Sequence, residues 1–338
     1  MNMKKSIFAV CDLEASYACN LTEYMNERRS TPFEVQAFTN LESLKKFAAE
    51  NPIEILLIST NAMCDEIKAL DIQRTIILSE GEPLDNLEEE LAVYKYQSSD
   101  QIIAEVMNFY ARSQPEVQPI SIELTKTELI GVYSPAYQAE KTLFALTLGE
   151  ILGERKQVLY LNLEDYSGFE TIFSREYRSD VSDLIYFARQ KEGNLIYKLN
   201  GMIQTFHNLD YIPPAFSPAD LKSVRYEEWM LLLEEIAAYG EYEVIILDLG
   251  SLVDELFQLM AQCGRIYVPI LEDDISRARQ LQFEKNLKAM ECQEVLDKMR
   301  KLHLPIWQSG GRNADLLERM IWGDMGKYVR NMLEAAMN

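Results

Sequence analysis

Short apolar runs rich in β-branched residues recur between helical patterns along the whole chain, and this alternation leaves few architectures open. In the first part the runs are "SIFAVCD", "PFEVQAF", "IEILLIST", "RTIILSE" and "AVYKYQ". Between them lie a helical pattern over Glu14–Glu27, a second in "NLESLKKFAAE" with Asn40 as N-cap, and a last one in "SDQIIAEVMNFYARS". Strands that alternate with helices predict a parallel sheet wrapped on both faces. The alternation stops at "SQPEVQPISIELTKTE", where Pro115 and Pro119 mark a linker, and restarts near Leu129.

The second series runs through the strand "ELIGVYS", the helix "EKTLFALTLGEILGE", the strand "KQVLYLNLED" and a mixed, helix-rich stretch to about Asn208. It continues through "LDYIPPAFSPADL", the helix "RYEEWMLLLEEIAAYG", and the strands "EYEVIILDLGS" and "GRIYVPILE". A long charged helix is expected from about Ser276 to Leu302, and a final one in "NADLLERMIWGDMGKYVRNMLEAAM". The fold class is therefore α/β, with two doubly wound parallel sheets. Residues 1–113 form one domain, 114–127 the linker, and 128–338 the other.

Composition narrows the function classes. Of 338 residues, 48% are hydrophobic, enough for packed cores. The net charge of −21 repels polyanions, so nucleic acid is not an expected partner. The apolar run Ile7–Val10 is too short for a secretion signal, and no uncharged run is long enough to cross a bilayer. Five scattered cysteines without CxxC spacing suit a reducing cytoplasm, and with only His207 and His303 no His/Cys metal site is expected.

The segment "GVYSPAYQAEKT" ends in Lys141-Thr142 and leads into a helix, the order of a phosphate-binding loop. In such a loop glycines let backbone N–H groups turn onto phosphates, the lysine reaches the outer oxygens and the hydroxyl meets Mg²⁺. A later strand ending in Asp248, "VIILD", stands where a magnesium-side carboxylate belongs.

These motifs, taken in order with "QVLYLNLEDYSGF" and "GRIYVPILEDD", resemble the deviant-Walker ATPases of the MinD/ParA class. Within that class the chain is most similar to the CpaE/TadZ branch, localisation proteins of pilus assembly, over roughly Thr127 to the C-terminus. The family loop, Lys-Gly-Gly-x-Gly-Lys-Thr, falls on Ala136 to Thr142, and only Lys141 and Thr142 match. Ala136 stands at the signature lysine that reaches across a dimer to the partner's nucleotide, and Tyr137, Gln138 and Glu140 replace the glycines. Asn162 takes the place of the first aspartate of the following strand, Glu164 the second, and Asp248 matches the Walker-B aspartate. The resemblance thus implies a degenerate nucleotide site of Lys141, Thr142, Asp248 and Glu164, with no catalytic residue and no metal site assigned.

Replacing glycine by Tyr or Glu in such a loop adds a Cβ where φ is often positive, and it fills the space of the phosphate. Glu140 adds a carboxylate at the entrance: two unit charges ~4 Å apart repel by about 4 kcal/mol at an effective dielectric near 20. Lys141 is then free to pair with Glu140 or with Asp248. No hydrolysis is expected, and ATP with Mg²⁺ is a doubtful cofactor.

The first half resembles response-regulator receiver domains over about residues 5–112. Asp12 and Glu14 follow strand one, Ser79 follows strand four, and Lys95 lies in the fifth run, but Ser59 stands where the phosphorylated aspartate belongs. Aspartyl-phosphate chemistry is not expected, and Asp12 and Lys95 are equally well explained as an ion pair or as caps at strand ends. The CpaE/TadZ branch carries such a domain in this place.

Elsewhere, "QSGGRNADLLERM" reads as a Gly-rich turn with Asn313 as N-cap. The basic residues of the last helix are interrupted by Asp315, Glu318 and Asp324, which favours packing on the core or a partner over a membrane surface. The resemblance implies a non-catalytic localisation or assembly scaffold that positions a pilus or secretion machine at a cell pole or membrane site. It also implies homodimerisation, protein partners, peripheral membrane association through those partners, and a cytoplasmic location at the pole or inner membrane face. The alternative is a slow or nucleotide-switched ATPase that binds ATP through a rearranged loop.

Overall fold

The computed structural model describes residues 6–28, 32–81, 91–113, 127–136, 139–190, 194–239, 242–306 and 314–337. The chain divides into two compact units, one of residues 1–117 with 192–201, the other of 118–191 with 202–338. The segment 192–201 thus belongs to the first unit although it follows the linker by many residues, a departure from a simple division at 114–127. The linker prolines, Tyr137, Gln138, and the Gly310-Gly311-Arg312 turn with Asn313 lie outside the described residues.

In the first unit the order is β1 (Ser6–Cys11), α1 (Ala15–Glu27), β2 (Phe33–Phe38), α2 (Leu41–Glu50) and β3 (Ile53–Ser59). It continues with α3 (Asp65–Lys68), β4 (Ile72–Ser79), β5 (Leu91–Tyr94) and α4 (Ser99–Ser113). The strands form a parallel sheet in the order β2-β1-β3-β4-β5, the flavodoxin-like doubly wound order. Period-two alternation feeds both faces. Phe8, Val10, Ile55 and Leu57 point into one core with α1 and α4, while Ala9, Cys11, Leu56 and Ile58 point into the other. Asn40 caps α2 as expected, accepting from the Ser43 N–H at 2.8 Å. Tyr197, from the inserted segment, completes the first core: its ring stacks on Phe33 and meets Tyr110 edge-on at 4.6 Å.

The second unit opens with β6 (Glu128–Val132), α5 (Ala139–Gly153), β7 (Val158–Leu163), α6 (Phe169–Phe173) and α7 (Val181–Gln190). The chain then forms α8 (Leu195–Met202), nearly all of which belongs to the first unit, and the second unit resumes with β8 (Gln204–Phe206), β9 (Leu209–Ile212), α9 (Pro218–Ser223) and α10 (Tyr226–Tyr239). The remaining elements are β10 (Val244–Leu249), α11 (Leu256–Gln262), β11 (Arg265–Pro269), α12 (Asp274–Ala289) and α13 (Gln293–Lys298). The last three are β12 (Met299–Leu302), α14 (Ala314–Trp322) and α15 (Asp324–Met337). The sheet order is β12-β11-β6-β10-β7-β9-β8, parallel except for the β8–β9 edge pair. Both units are therefore doubly wound α/β sheets, as the alternation requires.

The helix α5 is apolar nearly all round because it is buried on several sides, packing on the sheet and against α14 and α15. Two expectations need correction. The charged helix expected over Ser276–Leu302 ends at Ala289; Glu291 turns with φ 58°, and the chain closes the sheet as β12. Arg300 and Lys301 sit exposed on that edge strand, where charge prevents further pairing. The last helical pattern is two helices that break at Gly323, where a Cβ would lie 2.2 Å from the Arg319 carbonyl oxygen.

Candidate functional site

The central strand β6 leads to α5 and on to β7 on one side, while the chain reaches β11 on the other. Such a reversal opens a crevice at the carboxyl ends of the strands. Lys141, in the first turn of α5, and Asp248, near the end of β10, both point into this crevice region and are almost fully buried. The register that pairs Asp248 with Val132 on one side and Asn162 on the other fixes where its carboxylate lies.

Three oxygens lie around the Lys141 ammonium, two in ion pairs and one in a hydrogen bond. Asp248 Oδ1 lies 2.6 Å away, the Leu249 carbonyl oxygen accepts at 2.7 Å, and Glu164 makes the third contact. The other Asp248 oxygen accepts from the Tyr160 hydroxyl at 2.7 Å and from Asn162 Nδ2 at 3.3 Å. Asn162 also donates to Tyr160 at 2.8 Å and accepts from the Glu164 N–H at 3.1 Å. Burial raises the Glu164 carboxyl above the usual carboxylate range, against the pull of Lys141. The Tyr160 phenol is held well above its ordinary value by burial and then by the Asp248 charge.

Of the sequence-predicted residues, then, Lys141, Asp248 and Glu164 converge, and Thr142, which follows Lys141 in α5, is half-buried. Between the two partners suggested for Lys141, Asp248 is the one it uses; Glu140 makes no ion pair among the described residues. Tyr160 escapes sequence reasoning. Its signal is period two: it precedes Asn162 by two residues on β7 and therefore shares its face.

The described residues that lead into the loop before α5 are held against β11. None of these residues, Tyr133 to Ala136, has positive φ. Ser134 ties the loop to β11, donating to the Pro269 carbonyl at 3.3 Å and accepting from the Ala136 N–H at 3.2 Å. At Gly250 the chain leaves β10 against β7, its N–H donating to the Leu163 carbonyl at 3.0 Å. A Cβ at Gly250 would lie 2.4 Å from that oxygen. As arranged, the lysine is paired with Asp248 and Glu164, whose like charge opposes a nucleoside triphosphate.

In the first unit, Lys95 is buried and reaches Asp12 at 2.9 Å, Glu80 at 3.1 Å and Glu14 at 3.3 Å, all at the carboxyl edge of its sheet. Burial pulls its ammonium down, but the hydrogen bonds to Asp12 and Glu80 outweigh this and hold it above the ordinary lysine value. Its ammonium also lies 4.7 Å from the centre of the Tyr17 ring. Ser59 ends β3 with its hydroxyl buried, and Ser79 accepts from the Gly81 N–H at 3.2 Å. The ion pair expected between Asp12 and Lys95 is present, within a cluster that has two further carboxylates.

No family model matches the chain, and no curated protein matches it. Among solved structures it is similar to a ParA family ATPase from Chlorobium tepidum TLS, with 17% identity over 58% of this chain and 80% of that one, at a TM-score of 0.45. It is also similar to a plasmid partition protein from Borrelia burgdorferi B31 bound to AMPPNP, with 15% identity over 63% and 99% of the two chains and a TM-score of 0.45. A third is the MinC:MinD cell division protein complex of Aquifex aeolicus, with 16% identity over 60% and 78% and a TM-score of 0.39. No helix among the described residues is long and apolar enough to cross a bilayer.

Proposed function

We propose that the chain is a non-catalytic localisation or assembly scaffold of the CpaE/TadZ kind, which positions a pilus or secretion machine at a cell pole or membrane site. The observation that carries this is the Lys141 ammonium enclosed by Asp248, Glu164 and the Leu249 carbonyl. A lysine held this way braces the end of α5 against β10 and β7 instead of meeting a phosphate. The substitutions at Ala136, Tyr137, Gln138 and Glu140 point the same way. In this reading the first unit is a receiver-like domain without a phosphoacceptor, with Ser59 in its place, and it serves as a docking surface. The chain works as a homodimer joined by protein surface, recruits protein partners, and reaches the membrane through them from the cytoplasm.

One observation favours a nucleotide-switched ATPase: Lys141, Asp248 and Glu164 are gathered at the carboxyl edge of the sheet, where such proteins hold nucleotide, with Thr142 following Lys141 in α5. A fluorescent fusion in the source cell separates the two. The scaffold reading expects discrete foci that persist when Thr142→Ala is introduced. Diffuse signal, or foci abolished by that substitution, overturns it.

A further inference from the structure

The end of the second unit's sheet opposite the crevice holds a cavity of about 470 Å³. Its floor is apolar: Leu148, Ile151 and Leu152 from α5, Tyr267 from β11, and Leu333 from α15. Its mouth carries four cations. Arg265 is held by Glu128 at 2.8 Å, and Arg330 by Glu154 at 2.8 Å and the Ile321 carbonyl at 2.9 Å. The other two, Arg155 and Lys156, follow α5 directly and make no side-chain ion pair among the described residues. A helix C-terminus favours cations nearby, but that does not account for an apolar cavity beneath them. A space of this size, mostly apolar with a few charged groups at one end, matches the form of small-ligand sites. On a chain of net charge −21, a lining with four cations against three carboxylates, Glu128, Glu154 and Glu334, still favours an anion over a cation.

We infer that this cavity binds an amphipathic carboxylate, its single aliphatic chain against Leu148, Ile151 and Leu152 and its carboxylate against Arg155 and Lys156. A cationic amphiphile of the same length meets like charge at the mouth, and a small anion leaves the floor empty. The site is separate from the crevice, so the inference stands whether or not the crevice takes nucleotide.

The test is titration calorimetry of the full chain with decanoate, with decyltrimethylammonium and acetate as controls. Decanoate is expected to bind and the two controls not to. The R155E/K156E variant changes only rim residues and is expected to weaken decanoate at least about tenfold, a shift of about 1.4 kcal/mol. Leu152→Phe, which fills part of the floor, is expected to weaken it independently, with folding of both variants checked by circular dichroism. Absence of decanoate binding below its self-association concentration overturns the inference. So does equal binding of decyltrimethylammonium, or an affinity unchanged in R155E/K156E.

Discussion

Replacing Lys141 by methionine asks whether this lysine braces the fold or is held in reserve for a ligand. The side chain is 1% exposed and lies between an Asp248 carboxylate that is fully buried and a partly buried Glu164. Lys141→Met keeps the aliphatic stem and removes the charge, leaving two carboxylates facing each other with Tyr160 and Asn162 as the remaining donors to Asp248. Breaking a buried pair by removing one member costs about 3–5 kcal/mol, because the surviving charge stays buried without its partner. For a unit of this size each kcal/mol shifts the midpoint by about 2–4 °C, so its unfolding transition should fall by about 6–20 °C. The triple variant Lys141→Met, Asp248→Asn, Glu164→Gln removes all three charges and should return to within about 1–2 kcal/mol of the parent. Calorimetry of the full chain reads both. The reasoning is refuted if Lys141→Met costs less than about 1 kcal/mol, or if the triple variant is as unstable as the single one.

Three further outcomes follow from the same geometry. The folded Glu164 carboxyl holds its proton more tightly than the unfolded one, so its contribution favours the folded state at low pH and is lost as pH rises from the ordinary carboxylate value through the raised one. Glu164→Gln should remove that decline; a midpoint difference from the parent that stays flat between about pH 4 and 7 contradicts it. Burial lifts the Cys11 thiol to about 11 and the Cys263 thiol to about 12, so iodoacetamide followed by mass spectrometry should label exposed Cys19 and spare those two in the folded chain. Tyr197→Ala removes the ring packed on Phe33 and Tyr110, and it should destabilise the first unit by about 2–3 kcal/mol, seen as faster proteolysis within residues 6–113. An unchanged cleavage rate there would show that the inserted segment contributes nothing to that core.

Much of this was legible in the sequence because strand runs such as Ile53–Ser59 and Val244–Leu249 are buried on both faces and therefore read as continuous apolar stretches. The convergence of Lys141 and Asp248 was legible too, since the strand-loop-helix order places both at the carboxyl edge. Edge elements were less legible. Met299–Leu302 alternates too little apolar side chain to announce a strand, and its Arg300 and Lys301 continue the charge of the preceding helix. Tyr160 lies within an apolar strand run, and only the pairing of β7 with β10 brings its hydroxyl onto Asp248. The docking of residues 192–201 into the first core was not legible at all, because the partner of Tyr197 lies many residues away in sequence and local periodicity carries no such information.

The central claim is that the crevice lysine is committed to the fold, and titration calorimetry with ATP and ADP in the presence of Mg²⁺ tests it most directly. The enclosed Lys141 predicts no binding heat at millimolar nucleotide. Micromolar binding, lost in Thr142→Ala, would contradict it and mean that Lys141 leaves Asp248 and Glu164 to meet a phosphate.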